Sequence, residues 1–308
     1  MTTDQRQAIM DGLKNMTTAI DPEQEPPNID RMRAEFARMV STMQIPAGIK
    51  QSPTRLAGRP AVLVEPEDQE PKPGTILYFH GGSFMIGSPA TAMSLTASLV
   101  KETGVSALSL DYRLAPEHPF PAGIEDALAA YRELLDRGSD PTSIVFAGDS
   151  AGGGIAVGAC LAAKQAGLPM PAGLVGFSAS LDASRTGASL ETKSGRDPFF
   201  TADSLRWNAS IYLDGQDPHQ AWASPATCGD LAGLPPVLLQ VGTEELLLDD
   251  STRFAERARE AGVDVILDVT GNVAHVFQTF AGQLDAADEA LARAGFFIRQ
   301  RVSGADIT

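Results

Sequence analysis

Ser150 has the sequence surroundings of a catalytic serine. It is the third residue of the segment GDSAG at 148–152, which matches the pattern G-x-S-x-G. The stretch before it, residues 143–147, is short and mostly apolar. The stretch after it, residues 155–164, consists mainly of small or apolar residues. These stretches predict a buried strand, a tight turn carrying the serine, and a buried helix. The hydroxyl would then lie at a helix N-terminus, where negative charge is favoured. The alternative to a catalytic serine is a turn whose serine only caps the helix.

A serine nucleophile needs a base, and four histidines are available: His80, His118, His219 and His275. In the fold that carries G-x-S-x-G on a strand-to-helix turn, the catalytic groups follow the chain order serine, acid, histidine, which leaves His219 and His275. His219 lies in a polar loop with no predicted strand before it, whereas His275 follows the predicted strand at 263–269. Catalytic residues in open α/β sheets lie just beyond the carboxyl ends of strands, so we predict His275 as the base.

The acid that orients the histidine must also follow a strand, between the serine and the histidine. The predicted strand at 236–241 runs into two adjacent glutamates, Glu244 and Glu245. Adjacent side chains point in different directions, so only one of them faces the histidine; we favour Glu245 and retain Glu244 as the alternative. The aspartates at 249–250 are predicted in the first turn of the following helix, where the helix dipole favours carboxylates.

The loop after the predicted strand at 75–79 suits an oxyanion hole. It begins with His80-Gly81-Gly82, and two consecutive glycines allow the backbone to approach a carbonyl group and direct N–H groups at it. We predict Gly81 and Gly82 as donors, together with the N–H of Ala151 after the serine. His80 precedes the serine in the chain, so we interpret it as a residue that organises the loop.

The composition argues against several classes of partner. The 308 residues include 24 Lys and Arg against 39 Asp and Glu, and the formal net charge of −15 disfavours nucleic acid and anionic membranes. Cys160 and Cys228 do not make a disulfide framework, and Cys160 is predicted as a small core residue. The first residues lack the pattern of a signal peptide, and no stretch is long and apolar enough to span a bilayer. We therefore expect a soluble cytoplasmic protein, and no motif implies a cofactor or a metal.

From about residue 59 onwards, predicted strands and helices alternate. Strands are predicted at 61–64, 75–79, 105–110, 143–147, 172–177, 236–241 and 263–269. Helices are predicted at 89–101, 124–137, 155–164, 248–261 and 284–302. This alternation predicts an α/β fold with a mostly parallel central sheet and helices on both faces.

Two segments fall outside this alternation and are predicted to form a helical cap. Residues 1–55 are the N-terminal cap segment, and residues 183–222 are a second insertion within a catalytic domain at 56–308. Helical spacing within the first segment puts six apolar residues on one face: Ile29, Met32, Phe36, Met39, Val40 and Met43. We interpret this stripe as packing onto the main domain, which is compatible with a lid that contacts an apolar substrate. The candidate substrate-pocket residues are Met39, Met43, Phe84 and Met85.

Five segments together resemble the hormone-sensitive-lipase-like branch of the α/β-hydrolase fold, the bacterial esterases with G-D-S-A-G-G. They are His80-Gly81-Gly82, DYRLAPE at 111–117, GDSAGG at 148–153, LLDD at 247–250 and His275. The resemblance spans about residues 55–300 and implies that fold with a helical cap. In this family the acid lies four residues before the first member of an acidic pair, which for the pair at 249–250 is Glu245. The stretch at 111–122 is a structural signature of the family with no catalytic role.

The chain departs from the family pattern at two positions. The family loop is usually H-G-G-G, and here Ser83 stands in the place of the third glycine. If Ser83 only shapes the loop, little changes, whereas if the backbone at this position must be left-handed, the hole is distorted. The family acid is more often aspartate, whereas Glu245 is one methylene longer and needs a different loop.

The resemblance implies a serine carboxylic ester hydrolase that acts on short-chain acyl esters or small lactones through a Ser-His-Glu triad and an acyl-enzyme. Two alternatives remain: a receptor-like homologue that binds a small molecule without turnover, and an amidase. Receptors of this fold lack a working histidine, so His275 favours an enzyme. Arg113 and Arg185 are expected in surface ion pairs rather than bound to a substrate carboxylate. Many family members dimerise through the sheet edge near the last strand, so the resemblance also implies a homodimer.

Overall fold

An eight-stranded sheet forms the centre of the computed structural model, in which residues 3–17 and 28–302 are described. Its strands are β1 (Ile49–Leu56), β2 (Arg59–Pro66), β3 (Lys72–Phe79), β4 (Val105–Leu110), β5 (Ile144–Asp149), β6 (Gly173–Phe177), β7 (Val237–Gly242) and β8 (Val265–Thr270). They lie in the order β1-β2-β4-β3-β5-β6-β7-β8. β2 is antiparallel to β1 and to β4, and the other neighbours are parallel, which confirms the mostly parallel sheet.

Helices cover both faces of this sheet, as predicted. They are α1 (Thr3–Thr17), α2 (Ile29–Val40), α3 (Met93–Thr103), α4 (Ala122–Asp136), α5 (Ala151–Gln165), α6 (Ser189–Thr192), α7 (Ala202–Leu213), α8 (Leu248–Glu260) and α9 (Asp285–Val302). α4, α5 and α8 contribute Tyr131, Ile155 and Phe254 to one buried apolar cluster. α3 and α9 contribute Leu95 and Ile298 to a second cluster. Each cluster fills the space between the sheet and one helical layer.

The central strands are apolar throughout because they are covered on both faces. In β3, Leu77 and Phe79 lie in the first cluster, whereas Ile76 and Tyr78 lie in the second. Successive side chains of a strand alternate between faces, so both sets must be apolar here. β5 lies between β3 and β6, which places Ser150, the residue after it, near the middle of the sheet.

β1 was not predicted from the sequence. It forms the edge of the sheet, and its half-exposed and exposed side chains include Lys50, Gln51 and Arg55, so it has no apolar run. A two-residue turn joins it to β2, and both turn residues, Ala57 and Gly58, have positive φ angles of 50° and 74°. The sheet therefore begins inside the N-terminal segment that was predicted to end at residue 55.

α1 packs against the chain segment that follows β8. Met10 and Leu13 are buried in an apolar cluster that includes Phe277. Arg6 Nη1 also donates to the carbonyl oxygen of Gly271 at 2.7 Å. The first described helix therefore supports a loop from the far end of the chain.

α2 and α7 lie in the two segments predicted as cap. No residue of α2 is fully buried, and Arg33 fastens the helix through the carbonyl oxygen of Met85 at 2.9 Å and an ion pair with Glu117 at 2.6 Å. α7 begins with a capping box between Thr201 and Ser204. The assignment of these segments as a cap stays a prediction. Within the described ranges, no helix has the length and apolar character needed to cross a bilayer.

Candidate active site

Ser150 lies on a sharp turn between β5 and α5. Its backbone has φ 51° and ψ −119°, a conformation that residues with a side chain rarely adopt. Only small neighbours fit, because a Cβ on Gly152 would collide with the carbonyl oxygen of Phe79, and a Cβ on Gly148 with the carbonyl of Gly152. The serine is 7% exposed and immediately precedes α5. The strand, turn and helix expected from G-x-S-x-G are all present.

Three of the side chains selected from the sequence meet at this turn. The Ser150 hydroxyl donates to Nε2 of His275 over 2.9 Å, and Nδ1 of the same ring lies 2.9 Å from Oε2 of Glu245. They follow the carboxyl ends of β5, β8 and β7, where loops of a parallel sheet converge. Because a carboxylate only accepts hydrogen bonds, the ring proton lies on Nδ1, and Nε2 accepts from the serine.

Ser178 connects the acid to the histidine loop and was not predicted. Its hydroxyl donates to Oε1 of Glu245 at 2.7 Å and accepts from the N–H of Val276 at 2.9 Å. The N–H of Gly242 donates to the same carboxylate oxygen at 2.5 Å. Burial raises the pKa of Glu245, and these hydrogen bonds counteract that shift. Ser178 directly follows β6, so the preference of site residues for strand ends was the signal that could have found it.

Glu244, the alternative acid, has a different partner. Its carboxylate accepts from Nε and Nη2 of Arg196 at 2.6 and 2.7 Å, and from the hydroxyl of Thr243 at 3.0 Å. The two glutamates therefore point in different directions, and Glu245 is the one that contacts His275. The sequence alone left this choice open, because nothing in it identified the partner of either carboxylate.

Residues 196–200 are fastened to the loop that carries both glutamates. Besides the Arg196 ion pair, Asp197 accepts from the N–H of Leu246 at 2.9 Å and from the N–H of Phe199 at 2.8 Å. Phe200 presents its ring edge-on to His275, with ring centroids 5.1 Å apart. These contacts place an apolar ring against the imidazole, and no sequence pattern indicated that any of these residues lies at the site.

The charges around His275 set the direction of its pKa shift. Burial lowers the pKa, but the hydrogen bond to Glu245 and the negative charges of Glu245, Asp197 and Asp149 outweigh burial and raise it above the ordinary 6.5. Since the folded protein binds this proton more tightly than the unfolded chain does, the group stabilises the fold fully below pH 6.5. That contribution is lost as the pH rises through the folded pKa.

The raised pKa of His275 predicts the pH dependence of any reaction that uses it as a base. Only the neutral imidazole accepts a proton, so kcat/KM is expected to fall as the pH drops through a midpoint above 6.5. Initial rates with an uncharged ester from about pH 5 to 9 measure that midpoint. Circular dichroism across the same range separates titration from unfolding, and a midpoint below 6.5 in folded protein contradicts the prediction.

The predicted oxyanion loop requires one correction. The N–H of Gly81 donates to Oδ1 of Asp149 at 3.0 Å, so this group is already used inside the protein and is not free for a substrate. Within the described part of the chain, the N–H groups of Gly82, Ser83 and Ala151 have no intramolecular acceptor. Asp149, from the serine motif itself, thus fixes the start of the loop, and the free donors begin one residue later than predicted.

His80 lies under this loop, as expected for a residue that organises it. Its ring is fully buried, stacks on Tyr112 with centroids 4.3 Å apart, and has Nδ1 2.8 Å from the carbonyl oxygen of Gly81. Burial lowers the pKa of His80 to about 4, so the ring is neutral at pH 7. His118 and His219 are exposed and do not reach the serine.

The four candidate pocket residues lie in different environments. Phe84 is 7% exposed and stacks on Tyr212 with centroids 3.8 Å apart, and Met85 is fully buried. Met39 is half-buried on α2, and Met43 packs at the edge of the apolar cluster below α1. Their contact with a substrate stays a prediction.

Arg185 was expected at the surface, and this expectation is wrong. Its side chain is 5% exposed, lies 3.6 Å from Asp250 and donates to the hydroxyl of Ser180 at 3.1 Å. Asp250 also accepts from the N–H of Leu181 at 2.7 Å, so it anchors the loop after β6 in addition to its place in the first turn of α8. Arg113, in contrast, is partly exposed and pairs both with the buried Asp126 at 2.8 Å and with the exposed Glu125 at 3.4 Å. The buried pairing of Arg185 depends on residues far away in sequence, which a local pattern does not reveal.

Sequence comparisons match this chain to known hydrolases and esterases. A family model described as the alpha/beta hydrolase fold matches residues 76–279. An acetyl-hydrolase of Streptomyces hygroscopicus is 43% identical over 239 residues, which cover 78% of this chain and 79% of that protein. An esterase of Acinetobacter venetianus is 38% identical over 218 residues, which cover 70% of this chain and 72% of that protein.

Solved structures resemble the whole chain. The crystal structure of a hormone-sensitive lipase from a metagenome library matches with a TM-score of 0.92 and 37% identity, over 96% of this chain and 98% of that one. That of an esterase from the bacterial hormone-sensitive lipase family matches with a TM-score of 0.91 and 37% identity, over 98% of this chain and 99% of that one. The chain therefore belongs to the bacterial hormone-sensitive-lipase family of α/β-hydrolase-fold esterases.

Proposed function

We propose that this esterase hydrolyses short-chain acyl esters through an acyl-enzyme on Ser150, with His275 as the base and Glu245 as the orienting acid. The observation that carries the proposal is the continuous pair of 2.9 Å contacts from Ser150 through His275 to Glu245. A serine alone is a weak nucleophile, and a hydrogen-bonded imidazole held by a buried carboxylate is the arrangement that activates it.

In the first half of the reaction, Ser150 Oγ attacks the ester carbonyl carbon while its proton passes to Nε2 of His275. The tetrahedral intermediate collapses as the bond to the alcohol oxygen breaks, and the alcohol leaves with the proton from Nε2. In the second half, water attacks the acyl-enzyme and gives its proton to Nε2, which returns it to Oγ as the carboxylic acid leaves. Glu245 stabilises the imidazolium in both halves and keeps the ring proton on Nδ1.

We assign the oxyanion hole to the N–H groups of Gly82, Ser83 and Ala151. They have no intramolecular acceptor among the described residues. Gly82 and Ser83 lie in the loop after β3, the neighbour of β5 in the sheet, and Ala151 directly follows the serine. Ala151 also begins α5, whose dipole favours negative charge at this end. Donors of this kind stabilise the charge that develops on the carbonyl oxygen, and one donor is worth roughly 10²–10³ in kcat.

The enclosed position of the nucleophile is compatible with the proposed preference for small acyl groups. Ser150 and His275 are each 7% exposed, and Phe200 lies against the imidazole. The acetyl-hydrolase of Streptomyces hygroscopicus is named for an acetyl substrate, which supports the same choice here. A small lactone would use the same groups, with the leaving alcohol still joined to the acyl chain.

A substrate panel with the wild-type enzyme tests this proposal. We expect p-nitrophenyl acetate and butyrate to be hydrolysed far faster than laurate, and the matching anilide to be the slowest because its amine is a poorer leaving group. Two small lactones in the panel test the cyclic alternative. A fluorophosphonate probe, followed by peptide mass spectrometry, should label Ser150 and abolish turnover. Labelling elsewhere, or ligand binding without any turnover, would overturn the proposal and favour the receptor-like alternative.

A further inference from the structure

The loop that carries the proposed oxyanion donors contains two consecutive left-handed residues that are not glycine. Ser83 has φ 52° and Phe84 has φ 64°. Residues with a Cβ avoid this region, so such a conformation persists only where the surroundings hold it in place. Ser83 stands where the family pattern has glycine, which would adopt the same backbone without strain. The loop therefore needs an external support that a glycine loop does not need.

One face of α7 supplies contacts to both residues. Asn208 Nδ2 donates to Ser83 Oγ at 3.1 Å, and the Tyr212 ring stacks on the Phe84 ring at 3.8 Å with an angle of 12° between the planes. Asn208 and Tyr212 are four residues apart, so they lie one above the other on the helix. Both are nearly buried, with 7% and 4% exposure. Two neighbouring side chains on one face of α7 thus hold the two strained residues in place.

The contact with Asn208 matters for the reaction because it fixes the residue whose backbone N–H is a proposed oxyanion donor. The N–H of Ser83 is one of the donors assigned to the oxyanion hole. Its nitrogen and its side chain are bonded to the same Cα, so a backbone rotation that redirects the N–H also moves the side chain. Fixing Oγ from α7 therefore restricts the direction in which the N–H points. Misdirected donors lose most of their effect, since the hydrogen bond weakens steeply away from linearity.

We propose that Asn208 is a positioning residue for the oxyanion hole, acting through the hydroxyl of Ser83. The inference rests on the proposed function, in which the Ser83 N–H binds the oxyanion. The side chain of Asn208 does not touch the reacting atoms. Its role is to keep a serine-containing loop in the geometry that a glycine would adopt freely.

A set of variants at two positions tests the proposal. Ser83→Ala retains the Cβ and loses the hydroxyl, whereas Ser83→Gly loses both the hydroxyl and the strain. We expect Asn208→Ala and Ser83→Ala each to lower kcat about tenfold, below the roughly 10²–10³ for complete loss of one donor. The double variant with both alanines should lose no more than either single variant, because both changes remove the same hydrogen bond. Ser210→Ala, on an exposed part of α7, is the matched control.

The most discriminating comparison uses variants in which Ser83 is replaced by glycine. Asn208→Ala is expected to change kcat less than about twofold when Ser83 is replaced by glycine, since the bond is already absent. Binding of a reversible trifluoromethyl ketone, which forms an oxyanion on Ser150, should weaken in parallel with kcat, whereas KM should stay nearly constant. Melting temperatures show whether each variant is folded.

Two outcomes would overturn the inference while leaving the esterase proposal intact. One is an active wild type in which Asn208→Ala leaves both kcat and ketone affinity unchanged. The other is an equal loss from Asn208→Ala in the serine and glycine backgrounds, which would mean that Asn208 acts on something other than Ser83. Failure of the proposed function itself would appear differently, as a wild type that neither turns over esters nor labels at Ser150.

Discussion

Ser150→Ala is expected to lower kcat for p-nitrophenyl acetate by about 10⁶-fold, the size of effect seen when a serine nucleophile is removed from a protease triad. Alanine has the same Cβ as serine, so it fits the turn at φ 51° with the same backbone strain. The fold should therefore be unchanged, and the loss should come from the missing nucleophile. Steady-state rates at high enzyme concentration, with contaminating activity removed, measure the residual rate.

The control for this prediction is the melting temperature, which should agree with that of the wild type. Residual hydrolysis above the rate in buffer is expected, because the unpaired N–H groups beside the serine still stabilise the attack of water. A loss of less than about 10²-fold in folded protein would contradict the acyl-enzyme mechanism, since a simple general-base route does not need the hydroxyl.

Glu245→Gln is expected to lower kcat by about 10⁴-fold, as loss of the orienting carboxylate does in a serine protease. The side-chain shape is kept, but the amide NH₂ can donate to Nδ1 of His275 and so favour the tautomer with its proton on Nε2. That tautomer cannot accept the proton of Ser150. The charge that stabilises the imidazolium, 2.9 Å from Nδ1, is lost as well.

Glu244→Gln is the matched control, because the same substitution is made one residue away. Glu244 binds Arg196 rather than the imidazole, so we expect kcat to change less than about tenfold. Parallel measurements of kcat and KM for both variants check the assignment. Equal losses from the two variants, or a larger loss from Glu244→Gln, would contradict the choice of Glu245 as the acid.

The three side chains that meet at the serine turn could be selected from the sequence because parallel strands impose a simple rule. Apolar runs identified β5, β7 and β8, and the residues that follow them supply Ser150, Glu245 and His275. The choice between Glu244 and Glu245 was less secure from the residues alone, because it depends on where Arg196 lies in three dimensions. β1 escaped prediction because an edge strand with polar side chains has no continuous apolar run.

The oxyanion loop shows where local patterns stop being informative. Two glycines drew attention to the segment, but Gly81 was chosen without knowing that the Asp149 carboxylate would accept a hydrogen bond from its N–H. The sequence left open whether the backbone at Ser83 is left-handed, and its φ of 52° shows that it is. The compensating contact from Asn208 joins residues 125 positions apart, so no sequence window contains both partners.

The order of the strands also has a consequence during synthesis on the ribosome. β3 to β6 and the serine turn are made before β7 and β8, which are followed by Glu245 and His275, the proposed acid and base. The nascent sheet can add these strands at one edge as they emerge, since proteins are made from the N-terminus. A chain that stops before β7 has the serine but neither partner for it. Under the proposed mechanism, premature termination products that end before β7 lack both the acid and the base, so we expect them to hydrolyse no ester.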